Sequence, residues 1–141
     1  TEELSAQEIY EMGRKVEPFQ IASATRMGHI HLSVRDSRAA SAFYQKVLGL
    51  SDKFTVPSAS WIASGDYHHH LAVNEWAGKH LAKREAQLPG LSYYVVQVEK
   101  KEDLVAIAER AKEQEAAVTW LTSSELAFTD PDGIMTRVRK D

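Results

Sequence analysis

From Met27 onward the chain carries one pattern twice, offset by 64 residues and without a gap, and this repetition constrains the fold more than any other feature of its 141 residues. "MGHIHLSVRD" alternates, with Ile30, Leu32 and Val34 on one side and Met27, His29, His31 and Ser33 on the other, which predicts a strand buried on one face. "DSRAASAFYQKVLGL" then changes period. Ala40, Phe43, Tyr44, Val47 and Leu48 recur at helical spacing, with Asp36 or Ser37 placed to cap the start and Gly49 just past the end. In the second copy, "LSYYVVQVEKKEDLVAIAERAKEQ", Leu104, Ile107, Ala108 and Ala111 fall on Ala40, Phe43, Tyr44 and Val47. Short strand-like runs follow each helix: "DKFTVP", "SASWIAS" and "HHHLAV", then "AAVTWL", "SELAFT" and "GIMTRV", with turn signals such as "SGD" and "DPDG" between them.

Each half therefore reads strand, helix, three strands. A sheet of this kind has one face covered by its own helix and one left open, so two copies must pair to complete a core. The expected fold class is α+β: two paired βαβββ modules, residues 26–76 and 90–139, forming a curved mixed sheet around a cavity with the helices outside. Residues 1–25, polar and interrupted by Pro18, read as a short helix and connector ahead of a 26–141 domain. On this reading His29 and His31 look into the cavity. Trp61, Trp76, Phe54 and Phe128 are expected in the core, and "DPDG" is a turn in which Pro131 fixes φ and Gly133 takes the left-handed position.

Composition narrows the function classes. A net charge of −3 supplies no electrostatic footprint for nucleic acid or an anionic membrane, and no stretch approaches the roughly 20 apolar residues that cross a bilayer. The absence of cysteine excludes thiolate ligands, leaving histidine and carboxylate for any metal, and fits a cytoplasmic protein. The expected partner is a small molecule. An open sheet face also suggests a homodimer, and a start at Thr1 rather than Met suggests a chain processed, trimmed or cut from something longer.

"MGHIHLSVRDSRAASAFYQKVLGL", "GDYHHHLAVNEWAG" and "FTDPDG", in that order, resemble the vicinal oxygen chelate superfamily, the group of glyoxalases, bleomycin- and fosfomycin-resistance proteins and extradiol dioxygenases. "YHHHLAVNEW" and the preceding polar segment are similar to the C-terminal half of two-domain catechol-2,3-dioxygenase-like proteins, which implies that Thr1 opens a fragment with a missing N-terminal half. The resemblance implies metal ligands on the first and last strands of paired modules, and His29 matches the first-strand histidine. The second histidine position holds Tyr93, and the last-strand glutamate position holds Arg137, whose guanidinium has no lone pair to offer a metal. The resemblance assigns an acid–base or ligand role to the strand after "GDY". Strict alternation turns His68 and His70 toward the cavity and His69 away, an assignment that a bulge would invert, so His70, then His68 or His69, are the catalytic candidates.

Two functions follow. The first is a ring-cleavage-dioxygenase-like or glyoxalase-lyase-like domain with an altered centre for a divalent metal (Fe, Mn, Ni or Zn), a different nitrogen-rich set of His29, His31, His70 and Tyr93 being one arrangement. The second is a metal-free binding module of the bleomycin-resistance type, in which Tyr93, Arg137 and His31 hold an aromatic or anionic ligand. A cupin, suggested by His-x-His alone, is disfavoured because a helix rather than another strand follows "HIHLSVRD".

Overall fold

The computed structural model describes residues 5–13, 20–82, 85 and 89–140. Its elements run α1 (Ala6–Met12), β1 (Ile30–Ser33), α2 (Ser37–Leu48), β2 (Ser51–Val56), β3 (Ala59–Ala63), β4 (Leu71–Asn74), β5 (Tyr94–Val98), α3 (Lys101–Glu113), β6 (Val118–Thr122), β7 (Glu125–Thr129) and β8 (Met135–Lys140). Two four-stranded mixed sheets result, ordered β1-β4-β3-β2 and β5-β8-β7-β6, in which the first and last strands of each module pair in parallel. The sheets are separate and do not close into one. The anticipated fold class is the one found, with each module carrying its own sheet. Part of the segment read as a connector, residues 14–19, lies outside the described residues; α1 ahead of it has no buried residue.

The helices form where the sequence places their caps. Asp36 accepts from the backbone N–H groups of Arg38 and Ala39, and Gly49 ends α2 at φ 72°, a left-handed position that glycine takes without strain. A second carboxylate meets the same helix start from across the module. Glu75, just past β4, accepts from the Ser37 N–H at 2.8 Å and the Ser37 hydroxyl at 2.9 Å. These two bonds hold its carboxyl below the usual carboxylate range, where the helix dipole also favours negative charge.

One continuous core joins the modules. Leu32, Val34, Ile62, Leu71 and Val73 of the first sheet and Leu126, Phe128 and Val138 of the second bury against Phe43, Tyr44, Val47, Leu104, Ile107 and Ala111 of the two helices. Phe43 of α2 packs on Phe128 of β7 with ring centroids 6.0 Å apart, and Arg110 of α3 donates to the Val47 carbonyl at 3.0 Å. At the module boundary Arg35 pairs with Asp132 at 2.5 Å. Below it the buried Asp130 accepts from the Tyr44 hydroxyl and from the N–H groups of Asp132 and Ile134. The "DPDG" turn is thus a turn with a buried anchor, and Gly133 is left-handed at φ 89°.

Because alternate residues face the helices, the others face outward together. His31 and Ser33 of β1, Trp61 of β3, Ala72 of β4, Val95 of β5, and Met135, Arg137 and Arg139 of β8 share the open faces. This corrects the expectation that the large aromatics are core. Phe128 is, but Phe54 is 59% and Trp76 63% exposed, because nothing among the described residues covers the faces opposite the helices. The register also refines the repeat. Ile30 and Tyr94 keep the offset of 64, whereas their strand partners Leu71 and Thr136 differ by 65, so the counterpart of Arg137 is Ala72.

Candidate ligand and metal site

The open face of the first module is an aromatic wall ending in histidines. Phe54 and Trp61 lie 5.4 Å apart, Trp61 and Trp76 6.3 Å, Trp76 and His31 6.3 Å, and His31 and His29 5.5 Å between ring centroids. Ala72, between His31 and Trp61 in the register, is too small to interrupt the wall. Sequence reasoning missed this use of Trp61 and Trp76. Their open-face parity on β3 and just after β4 was a readable signal.

Against the start of β1 lies the segment that leads into β4. Gly28 permits the approach: a Cβ there would stand 3.1 Å from the Tyr67 hydroxyl. Here the structure departs from strict alternation. β4 begins only at Leu71, so residues 67–70 lie outside the strand and their side chains follow the turn. His69 swings to the histidines of β1, its Nε2 3.1 Å from Nε2 of His31 and its ring 4.2 Å from that of His29. His70 is stitched into the sheet instead. Its carbonyl accepts from Ile30 N–H, its own N–H donates to Ile62, and its Nδ1 accepts from Ser64 N–H at 3.3 Å. His68 stands between, its ring 5.6 Å from His29 and 4.5 Å from His69. His29, His31 and His69 thus bring one ligand nitrogen each to within 4.8 Å of one another, and His70 is not part of that group.

His69 is crowded by partial burial and by His29, His68 and His31, which together lower its pKa from the ordinary 6.5 to about 4. Burial likewise lowers His70. The sign follows from proton linkage. Between about pH 6.5 and about 4 the unfolded chain takes up a proton at His69 that the folded chain resists, so stability is full above this window and falls as pH falls through it. Thermal unfolding followed from pH 7 to pH 4.5 should show a shallower loss in His69→Gln than in the parent; equal slopes would refute the assignment.

On the second module, Arg137 lies with its guanidinium carbon 3.8 Å from the centre of the Tyr93 ring, a cation–π contact. Glu125 reaches Arg137 at 3.7 Å and Arg139 at 3.2 Å, one carboxylate for two guanidiniums, and Nε of Arg137 is buried without a hydrogen-bond partner. The positions at which the resemblance implies a histidine and a glutamate are therefore engaged with each other. His29, Tyr93 and Arg137 do not make a metal set, since one member carries a fixed positive charge and no lone pair.

Among the described residues, two cavities bear on the site. The larger, about 450 Å³ and lined by Phe43, Gln114, Thr129 and Asp130, contains neither a histidine nor Arg137. The smaller, about 270 Å³, is lined by His31, Ser33, Arg35, Leu91, Asp132 and Ile134 where the modules meet, and so adjoins the histidine group.

Comparison with known proteins agrees with this architecture. The chain is similar to the catechol-2,3-dioxygenase of Bacillus subtilis (strain 168), 40% identical over 90 residues, which are 62% of this chain and 32% of that protein. The chain thus spans about a third of this relative's length. In fold it is similar to a glyoxalase/dioxygenase from Nostoc punctiforme (20% identity, 90% of this chain and 99% of that one, TM-score 0.67). It is likewise similar to a glyoxylase/bleomycin resistance protein/dioxygenase domain from Frankia sp. EAN1pec (23% identity, 84% and 98%, TM-score 0.64). A family description matches residues 26–138, from ahead of β1 into β8, and the chain belongs to the Glyoxalase/Bleomycin resistance protein/Dioxygenase superfamily.

Proposed function

We propose that this chain is a ring-cleavage-dioxygenase-like domain whose inherited three-ligand metal centre has been given up at two positions, and whose open face binds a planar small molecule bearing an anionic group. One observation carries the reading: Arg137 stacks on Tyr93 with its side chain still 29% exposed, and its one ion pair is a long 3.7 Å contact to a Glu125 carboxylate that Arg139 shares at 3.2 Å. A guanidinium in that state keeps donors free for a carboxylate or phenolate, and such charge-assisted bonds are the strong ones. The aromatic wall of Trp61 and Trp76 offers a flat apolar surface on the other module. The similarity to a catechol dioxygenase over 90 residues supports a ligand of aromatic type.

The test is binding of simple aromatic carboxylates, benzoate and its hydroxylated derivatives, by calorimetry. Losing one charge-assisted contact, worth about 1.5–3 kcal/mol, predicts roughly 10- to 100-fold weaker binding for Arg137→Ala, and Arg137→Lys should restore only part. Catechol supplied with Fe(II) and oxygen should remain uncleaved. Unchanged affinity in Arg137→Ala, or ring cleavage by the parent chain, would sink the proposal.

A further inference from the structure

We propose that His29, His31 and His69 form a three-nitrogen site for a borderline transition-metal dication of the zinc, nickel and copper class, displaced from the inherited centre and sharing only His29 with it. The geometry argues for it first. Two imidazole nitrogens bound to one zinc at about 2.0–2.1 Å in a tetrahedral arrangement stand roughly 3.3 Å apart. The Nε2 atoms of His31 and His69 already stand at 3.1 Å, and the third nitrogen lies within 4.8 Å of both. Small ring rotations suffice for an ion to take all three, since His29 and His31 are exposed and their rings are free of the core.

The chemistry of the set selects the ion. Three neutral imidazoles and no oxygen ligand suit zinc, copper and nickel, and offer nothing to magnesium or calcium, which require oxygen cages. A tetrahedral ion held by three protein nitrogens keeps one position for water or a small anion. His31 also lines the 270 Å³ cavity between the modules, so that position has space beside it. Topology supplies the reason for three histidines rather than a run. His29 and His31 belong to the first strand and its approach, His69 to the turn before β4, so the ion would tie together two segments 38 residues apart in sequence. Consecutive histidines alone cannot present three nitrogens to one ion as readily, because neighbouring side chains diverge.

The site does not depend on Arg137, and its test is separate from that of ligand binding. Titrate the untagged chain with Zn²⁺ and with Ni²⁺ by calorimetry, and with Cu²⁺ by tryptophan fluorescence, with Mg²⁺ as the comparison ion. We expect one Zn²⁺ per chain and no Mg²⁺. Loss of a residue that merely orients a ligand costs about 10- to 100-fold in affinity, so His29→Ala, His31→Ala and His69→Ala should each cost at least about 100-fold, while His80→Ala, at an exposed histidine after β4 that is not part of the group, should be neutral. Copper should quench fluorescence, and Trp76→Phe should remove much of that quenching, because Trp76 stands 6.3 Å from His31. Circular dichroism of the metal-free variants checks that each is folded. The proposal is overturned if the parent chain binds no Zn²⁺, or if binding survives His29→Ala and His31→Ala unchanged, which is the signature of the 68–70 run acting alone.

Discussion

Phe128→Ala should destabilise the chain by about 3–5 kcal/mol, the range for emptying a fully buried aromatic site. The side chain is 1% exposed on β7 and meets Phe43 of α2, so the cavity would open at the seam between modules rather than inside one of them. Against a total stability of roughly 5–15 kcal/mol for a domain of this kind, that is a large fraction, and Tm should fall by roughly 10–17 °C. Urea titration is the measurement, with a lower midpoint at unchanged slope. Because the cluster is continuous, Trp61 and Trp76 in the first module and Trp120 in the second should report one coincident transition. Two separated transitions would mean the modules fold independently and the shared core is not what holds them. Phe54→Ala supplies the contrast: at 59% exposed, it should cost no more than about 1 kcal/mol.

Asp130→Ala is the second large effect. Its carboxylate is 4% exposed and accepts from the Tyr44 hydroxyl at 2.7 Å, Ile134 N–H at 2.7 Å and Asp132 N–H at 3.0 Å. Alanine leaves the fully buried Tyr44 hydroxyl and two turn N–H groups without their acceptor, at about 1–3 kcal/mol for each that water cannot reach. A loss of about 2–5 kcal/mol is expected in chemical denaturation. Asp130→Asn should cost clearly less, since its amide oxygen can serve the turn while Tyr44 reorients toward the amide nitrogen. Burial raises the Asp130 carboxyl above the ordinary range. The ionised form therefore costs the fold stability above the folded pKa, a cost relieved as pH falls through that value toward the unfolded one. The asparagine variant should lack this component of the pH profile. If alanine and asparagine are equally harmful, the hydrogen bonds are not the cause.

Much of the architecture was legible before any coordinates. The gapless repeat, the change of period after Arg35 and the cap residues Asp36 and Gly49 are local signals, and local signals survive translation into structure because backbone geometry enforces them. The side assignment of β1 was readable for the same reason. His29 and His31 lie opposite Leu32 and Val34, as side-chain alternation requires.

The histidines before β4 were not readable in that way. Alternation assumes an extended ladder, and residues 67–70 precede it, so whether His69 or His70 meets His31 depends on where pairing with β1 and β3 begins. That is a property of two other strands. The stacking of Arg137 on Tyr93 is of the same kind, since residues 44 apart in the chain meet only because β5 and β8 pair in parallel. Composition and periodicity by themselves determined a doubled βαβββ chain with one helix-covered face per module, because those patterns are dictated within a few residues of each position. Only the tertiary structure decided which histidines gather and which aromatics stay uncovered. Those outcomes depend on strand register and on the absence of a cover over the open faces among the described residues, which no local stretch encodes.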